Sequence, residues 1–302
     1  MIFFRVILFK LVILVLGVLI SVAFITLIER KILGLVGIRL SPIKVSLFGT
    51  LQPITDALKL ALKIDVSLSI SLNIIYIVIG PAFLSFSLSV WIFSGIFFSN
   101  IILTKLSLLV VLFLITFRTL RVLLLGWVSL SKYPIIGSIR SATQAISYES
   151  IIIIVFLIFC YLLGSFKFNQ DVVFRNNIIL MAPVLFIFWL FTSLAELGRT
   201  PYDFSEGERE LVSGFNTEFG SRPFSLIFLS EYSNILFFSS LTSIIFFFSF
   251  NVSVIISLLF WFIWIRSVLP RSRFDHLIDL AWKFFIPIVT CYLILFLVSL
   301  IF

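Results

Sequence analysis

The sequence predicts an all-α polytopic membrane protein, with about eight transmembrane helices and a short amphipathic surface helix after the first span. Three observations carry that prediction. Hydrophobic residues make up 61% of the 302 and charged residues only 12%, far from the composition of a soluble domain. Apolar runs of about 18 residues or more recur along the chain, and about 20 residues of helix cover the hydrocarbon core. The runs do not alternate with period two as barrel strands would, which leaves helices, whose backbone hydrogen bonds are satisfied internally.

The first span is expected at 4–28, stopped by Glu29-Arg30-Lys31. The opening MIFFRVILFK has two basic residues before an apolar stretch, but no small-residue cleavage site follows, so it reads as the start of a retained span. Residues 32–69 make no crossing. Within them, 51–63 places Ile54, Ala57, Leu58, Ala61 and Leu62 on one helical face and Thr55, Asp56, Lys59 and Lys63 on the other. With Pro53 in the first turn, this is a helix lying along the membrane surface. Further spans are expected at 72–98, 106–127, 150–164, 178–195, 224–250, 252–266 and 284–302, with Asn251 alone separating the sixth from the seventh. Gly80-Pro81 and Ala182-Pro183 are candidate kinks. No linker or internal repeat divides the chain, so 1–302 is one integral membrane domain.

Eight crossings put both termini on one side, and the basic residues then divide seventeen against five. The rich side, which includes Arg30, Lys31, Arg140, Arg199, Arg266 and Arg271, faces the compartment of synthesis by the positive-inside rule. The formal charge of +8 is therefore a topological signal rather than a nucleic-acid footprint. Cys160 and Cys291 each lie in an apolar run without polar company, which offers no metal site and no cluster ligands. No GxGxxG, P-loop, HExxH or GxSxG pattern is present, so nucleotide, zinc and acyl-transfer chemistry have no foothold.

Acids crowd into one stretch, the loop at about 196–222, which carries Glu196, Asp203, Glu206, Glu208, Glu210 and Glu218. If that loop is helical, Glu206 and Glu210 share a face and Glu208 lies opposite. Glu149 at the start of span four, Glu196 at the end of span five and Glu231 in span six stand at bilayer depth. A charge there costs on the order of 3 kcal/mol, so each acid must be paired, hydrated or protonated. Two readings stand: structural pairing, Glu149 with Arg140 and Glu196 with Arg199, or a relay of protons between titratable carboxyls. His276, among Arg271, Arg273, Asp275 and Asp279, reads as a hydrated loop histidine.

IERKILG at 28–34, LQPITDALKL at 51–60, SYE at 147–149, the long AELGRTPYDFSEGERELVSGFNTEF at 195–219, SEYSN at 230–234 and PRSRFD at 270–275 together resemble the subunit 1 family of respiratory complex I. The resemblance spans essentially the whole chain. It implies a membrane subunit of the mitochondrial inner membrane whose first span, amphipathic helix and sixth span help to form a ubiquinone chamber. Carried over by position, Glu29, Arg30, Gln52, Asp56, Phe224, Arg271 and Arg273 fall on the quinone side. Glu149, Glu196, Asp203, Glu206, Glu208, Glu210, Glu218 and Glu231 fall on the proton-coupling side, with Arg140 and Arg199 as counter-charges. Ubiquinone would be a substrate in a chamber shared with partner subunits, among them the quinone-proximal iron–sulfur subunit and neighbouring membrane subunits, with no metal, flavin or nucleic acid on this chain. Charged loops would face the matrix and both termini the intermembrane space. The chain departs from the family pattern at Arg39-Leu40-Ser41-Pro42-Ile43, at Arg209, and at Arg118 and Arg121, which are expected to meet an acid or snorkel. Two alternatives remain open at this point: the membrane anchor of a related energy-converting hydrogenase, and a stand-alone proton-coupled transporter.

Overall fold

The computed structural model describes residues 2–42, 49–63, 73–93, 107–163, 183–203, 214–247 and 251–301. All regular elements among them are helical. In chain order these are α1 (Ile2–Val36), α2 (Gln52–Leu62), α3 (Asn73–Phe93), α4 (Ser107–Ser129), α5 (Lys132–Leu163), α6 (Pro183–Leu197), α7 (Ser221–Phe247), α8 (Val252–Val268), α9 (Phe274–Leu280) and α10 (Ile286–Ile301). A 3-10 turn at Gly214–Asn216 precedes α7, and a π turn at Ala281–Phe285 makes α9 and α10 continuous. Six helical stretches, in α1, α3, α4, α5, α7 and the α9–α10 unit, are long and apolar enough to cross a membrane, while α6 and α8 are shorter and apolar.

Three boundaries differ from the sequence expectation, each for a local reason. Helix α1 runs through the charged triplet to Val36, because Glu29 is buried against protein partners and nothing breaks the helix before Gly37. Helix α5 begins at Lys132 rather than 150. Its Pro134 sits in the first turn, where proline is accepted, and Ser138, Ser141, Thr143, Ser147 and Ser150 return their hydroxyls to carbonyls three residues back. Polar residues so satisfied need no solvent, and Glu149 lands mid-helix rather than at a span's start. The last span likewise begins at Phe274, so His276 is an exposed helical residue rather than part of a loop. By contrast Asn251 is extended, at φ −86 and ψ 122, and does separate two helices.

Lipid is as apolar as leucine, so these helices associate by close packing rather than by a hydrophobic drive. Trp189 of α6 is wholly buried against Phe156 of α5, with ring centroids 5.4 Å apart, and against Phe238 and Phe246 of α7. Helix α7 is lined with small buried residues, Ser230, Ser233, Ser239, Ser240, Thr242 and Ser243, which let neighbours approach. A second cluster, Tyr76, Phe83, Leu125, Phe219 and Ile227, joins α3, α4 and α7. Val12, Leu16, Ile20 and Phe24 are left outward on α1, as a lipid-facing stripe requires.

Candidate functional site

Helices α1, α2 and α7 enclose a cavity of about 700 Å³. Its wall is mainly apolar, with Val22, Leu33, Ala57, Leu60, Ala61, Phe224, Phe228 and Leu229; the polar lining gathers around Glu29, with Arg30, Asp56, Tyr232 and Arg266, while Arg222 stands about 15 Å away along α7. The surface helix is fastened to α1 by an ion pair between Arg30 and Asp56 at 2.6 Å, while Gln52 donates to the other Asp56 oxygen at 3.0 Å. Of the expected quinone-side residues, Glu29, Arg30, Asp56 and Phe224 line the cavity, and Gln52 acts on it through Asp56. Arg271 instead reaches Asp203 at 3.4 Å, and Arg273 sits at the N-cap of α9. Helix α2 also divides otherwise than its apolar pattern suggests. The small Ala57 and Ala61 face the cavity beside Asp56, while Ile54, Leu58 and Leu62 are exposed.

At its polar end the cavity meets a charged hub. The Glu29 carboxylate accepts from the Tyr232 hydroxyl at 2.6 Å and from Arg266, and Arg199 lies 3.5 Å away. The Arg199 guanidinium stacks over the Tyr232 ring, 4.4 Å from its centroid. Burial alone would discourage charge on Arg199, but Tyr232, Glu29 and Glu231 outweigh it and hold the guanidinium protonated. The expected pairing of Glu196 with Arg199 is therefore replaced: Arg199 serves Glu29, and Glu196 meets Arg118 at 3.8 Å.

Beyond the hub, a second cavity of about 40 Å³ is bordered by Arg118 and Arg121 of α4, Gln144 of α5, Glu196 of α6 and Glu231 of α7. Two of the three acids expected at bilayer depth, Glu196 and Glu231, thus border one cavity, which Arg199 approaches through its interaction with Glu231. Glu149 interacts electrostatically with Glu196 and Arg118. It cannot pair with Arg140: nine residues on one helix set the two on opposite sides, about 13 Å apart along the axis. Arg118 meets an acid, as expected, whereas Arg121 takes a third course. It donates to the Phe83 and Phe117 carbonyls and lies over the Phe83 and Phe86 rings.

Both ends of the acidic loop are pinned. After α6, Gln144 donates to the Ala195 carbonyl at 3.2 Å and the Tyr202 carbonyl at 2.8 Å, and Ser272 bonds twice to the Pro201 carbonyl. Asp203 is buried beside Arg271. Before α7, Tyr76 stacks on Phe219 and its hydroxyl accepts from Gly220 N at 2.8 Å. That places Glu218 at the loop's fixed end. Glu206, Glu208 and Glu210 lie outside the described residues.

Sequence reasoning missed the hub's own partners. Tyr232 stands in the SEYSN stretch next to Glu231, and Arg266 closes α8; only their meeting with Glu29 in space distinguishes them. Gln144 carried no signal, because its role depends on α5 starting before residue 150.

The NADH dehydrogenase family matches this chain over residues 9–297. Proteins named NADH-ubiquinone oxidoreductase chain 1 are similar along nearly their whole length. The one from Aedes aegypti is 40% identical, covering 94% of this chain and 92% of its own. The one from Apis mellifera ligustica is 42% identical, covering 95% of each, and the one from Euphractus sexcinctus is 36% identical, covering 91% of each. With an all-α membrane architecture and a match from one end to the other, the chain belongs to the NADH dehydrogenase family, as chain 1 of NADH-ubiquinone oxidoreductase does.

Proposed function

We propose that the cavity between α1, α2 and α7 is a ubiquinone chamber and that the line from Glu29 to Glu196 carries the effect of quinone reduction to proton translocation. Family membership makes the chain a core membrane subunit of the mitochondrial NADH-ubiquinone oxidoreductase, multi-pass in the inner membrane. The finer reading rests on one observation: the polar end of the cavity abuts the Glu29–Tyr232–Arg199 hub, and Arg199 leads to the enclosure holding Glu231 and Glu196.

Chamber geometry fits an amphipathic guest. A volume of about 700 Å³ lies within the range of small-molecule sites, the apolar wall suits a ring bearing an isoprenoid tail, and the polar end suits its carbonyl oxygens. Two electrons and two protons convert ubiquinone to ubiquinol. The electrons come from the iron–sulfur subunit docked on the charged face, and the protons from the aqueous side. Negative charge appearing on the partly reduced quinone changes the field at Glu29 and Arg199. Because these two groups are directly paired, a change in one alters the hold on the other, and Glu231 feels Arg199 in turn. In this arrangement the charged segments face the matrix and both termini the intermembrane space, with the whole of 1–302 acting as one membrane domain.

Glu196→Gln or Glu206→Gln in the assembled complex tests the coupling half of the proposal. Quinone-linked proton pumping should fall by roughly a hundredfold, the scale of losing one acid–base group, with assembly unchanged. Normal pumping in both variants would refute it. Photoreactive ubiquinone analogues test the chamber half, with labelling expected on peptides containing Ala57, Ala61 and Phe224; labelling confined to other surfaces would remove it.

A further inference from the structure

We infer that Arg118 is a positioning residue of the proton line, its guanidinium holding water in the small cavity between Glu196 and Glu231. This rests on the coupling role proposed above and adds to it a group with no place in the quinone chamber.

A guanidinium on a spanning helix is costly unless paired, and α4 carries two, one turn apart. Arg121 is hydrogen-bonded within the protein. It donates to the Phe83 carbonyl at 3.1 Å and the Phe117 carbonyl at 3.3 Å, with aromatic rings 5.2 and 5.6 Å from its guanidinium. Arg118 differs. Its Nη1 has no hydrogen-bond partner, and its 3.8 Å contact with Glu196 is an ion-pair distance too long for a hydrogen bond. The Glu196 side chain is wholly buried, and neither of its carboxylate oxygens finds a hydrogen-bond donor.

These three orphaned atoms belong to residues bordering the cavity of about 40 Å³ that Glu231 also lines. Buried polar groups are nearly always satisfied by protein or by ordered water. A polar cavity of this size holds water, which needs roughly 10–15 Å³ of such volume per molecule. Bridging water completes both groups at the spacing the helices impose.

Arg118 also lies against the end of α6. Its Nη2 lies beside Gly198, which leaves α6 in a left-handed conformation at φ +62, so the cation sits at the α6 C-terminus, where the helix dipole favours it. From there its unpartnered Nη1 lies 3.8 Å from the Glu196 carboxylate. The water is thereby placed where a proton can pass between Glu196 and Glu231.

The test uses the assembled complex. In the unmodified complex, a cryo-EM map that resolves ordered water should show density bridging Arg118 Nη1 and the Glu196 carboxylate. Arg118→Met should lower quinone-linked proton pumping by roughly tenfold, less than removal of a proton-carrying acid, and Arg118→Lys should restore most of it. That recovery would not follow from packing alone. A dry cavity with Arg118 bonded directly to Glu196 would overturn the inference even if Arg118→Met failed to assemble. So would an assembled Arg118→Met complex that pumps normally, or a lysine variant as defective as the methionine one. Full pumping in Glu196→Gln and Glu206→Gln would instead remove the coupling role. Impairment there with Arg118→Met unimpaired removes only the role of Arg118.

Discussion

Replacing Glu29 with glutamine keeps the side chain's size and one acceptor oxygen while deleting the charge on which two arginines converge. In the native hub the carboxylate is 6% exposed, Arg199 16% and Arg266 34%. Leaving a buried cation without its anion costs about 3–5 kcal/mol. Tyr232 can still donate to the amide oxygen, and Arg266 is exposed enough to regain water, so the lower end, about 3 kcal/mol, is expected. That corresponds to roughly two decades in a stability constant. The solubilised complex should lose quinone-linked turnover at a midpoint on the order of 6 °C lower on heating. Adding Arg266→Gln to the Glu29→Gln background should recover part of the loss, because it removes one of the orphaned cations. A midpoint within about 1 °C of the native complex would refute the hub as a structural unit. So would an Arg266→Gln cost that simply adds to the first, which would show the charges to be energetically independent.

Ala61→Trp places a large ring from α2 in the proposed chamber and should raise the KM for a short-chain quinone by roughly tenfold, a binding loss of about 1.4 kcal/mol, with NADH oxidation by an artificial acceptor unchanged; an unaltered KM would mean the guest sits elsewhere. Gln144→Leu strips the donor from the Ala195 and Tyr202 carbonyls, a cost of about 1–3 kcal/mol, and hydrogen exchange over 195–203 should quicken while that of α10 stays constant. Equal exchange in variant and native complexes would show that other contacts hold this segment.

The architecture was legible because its cause is one-dimensional. A run of apolar residues long enough to reach across lipid is a helix whatever lies around it, and the break at Asn251 showed as a single polar residue between two such runs. Helix ends were less legible where polar residues find partners inside the protein. The serines and threonines of α5 satisfy themselves on their own backbone, and Glu29 hides among Tyr232, Arg199 and Arg266, so neither stretch ends a helix although both look as if they should. The site residues were readable as charges out of place, yet their pairing was not. Arg199 and Glu196 are neighbours in sequence but turn to different partners, because α1 brings Glu29 to the one and α4 brings Arg118 to the other.

Helix α1 is 35 residues of unbroken α-helix, about 52 Å long at 1.5 Å per residue, against a hydrocarbon layer of about 30 Å. From Lys10 to Glu29 alone covers about 29 Å, nearly the thickness of that layer, and two further turns of helix follow the hub to Val36. Gly17 and Gly34 are the glycines of α1, which has no proline, and the helix runs unbroken through both, so the end of the helix and the cavity wall that α1 forms from Val22 to Leu33 belong to one continuous rod. A contact made at that end is therefore held in fixed register with Glu29, seven residues and about 10 Å below it.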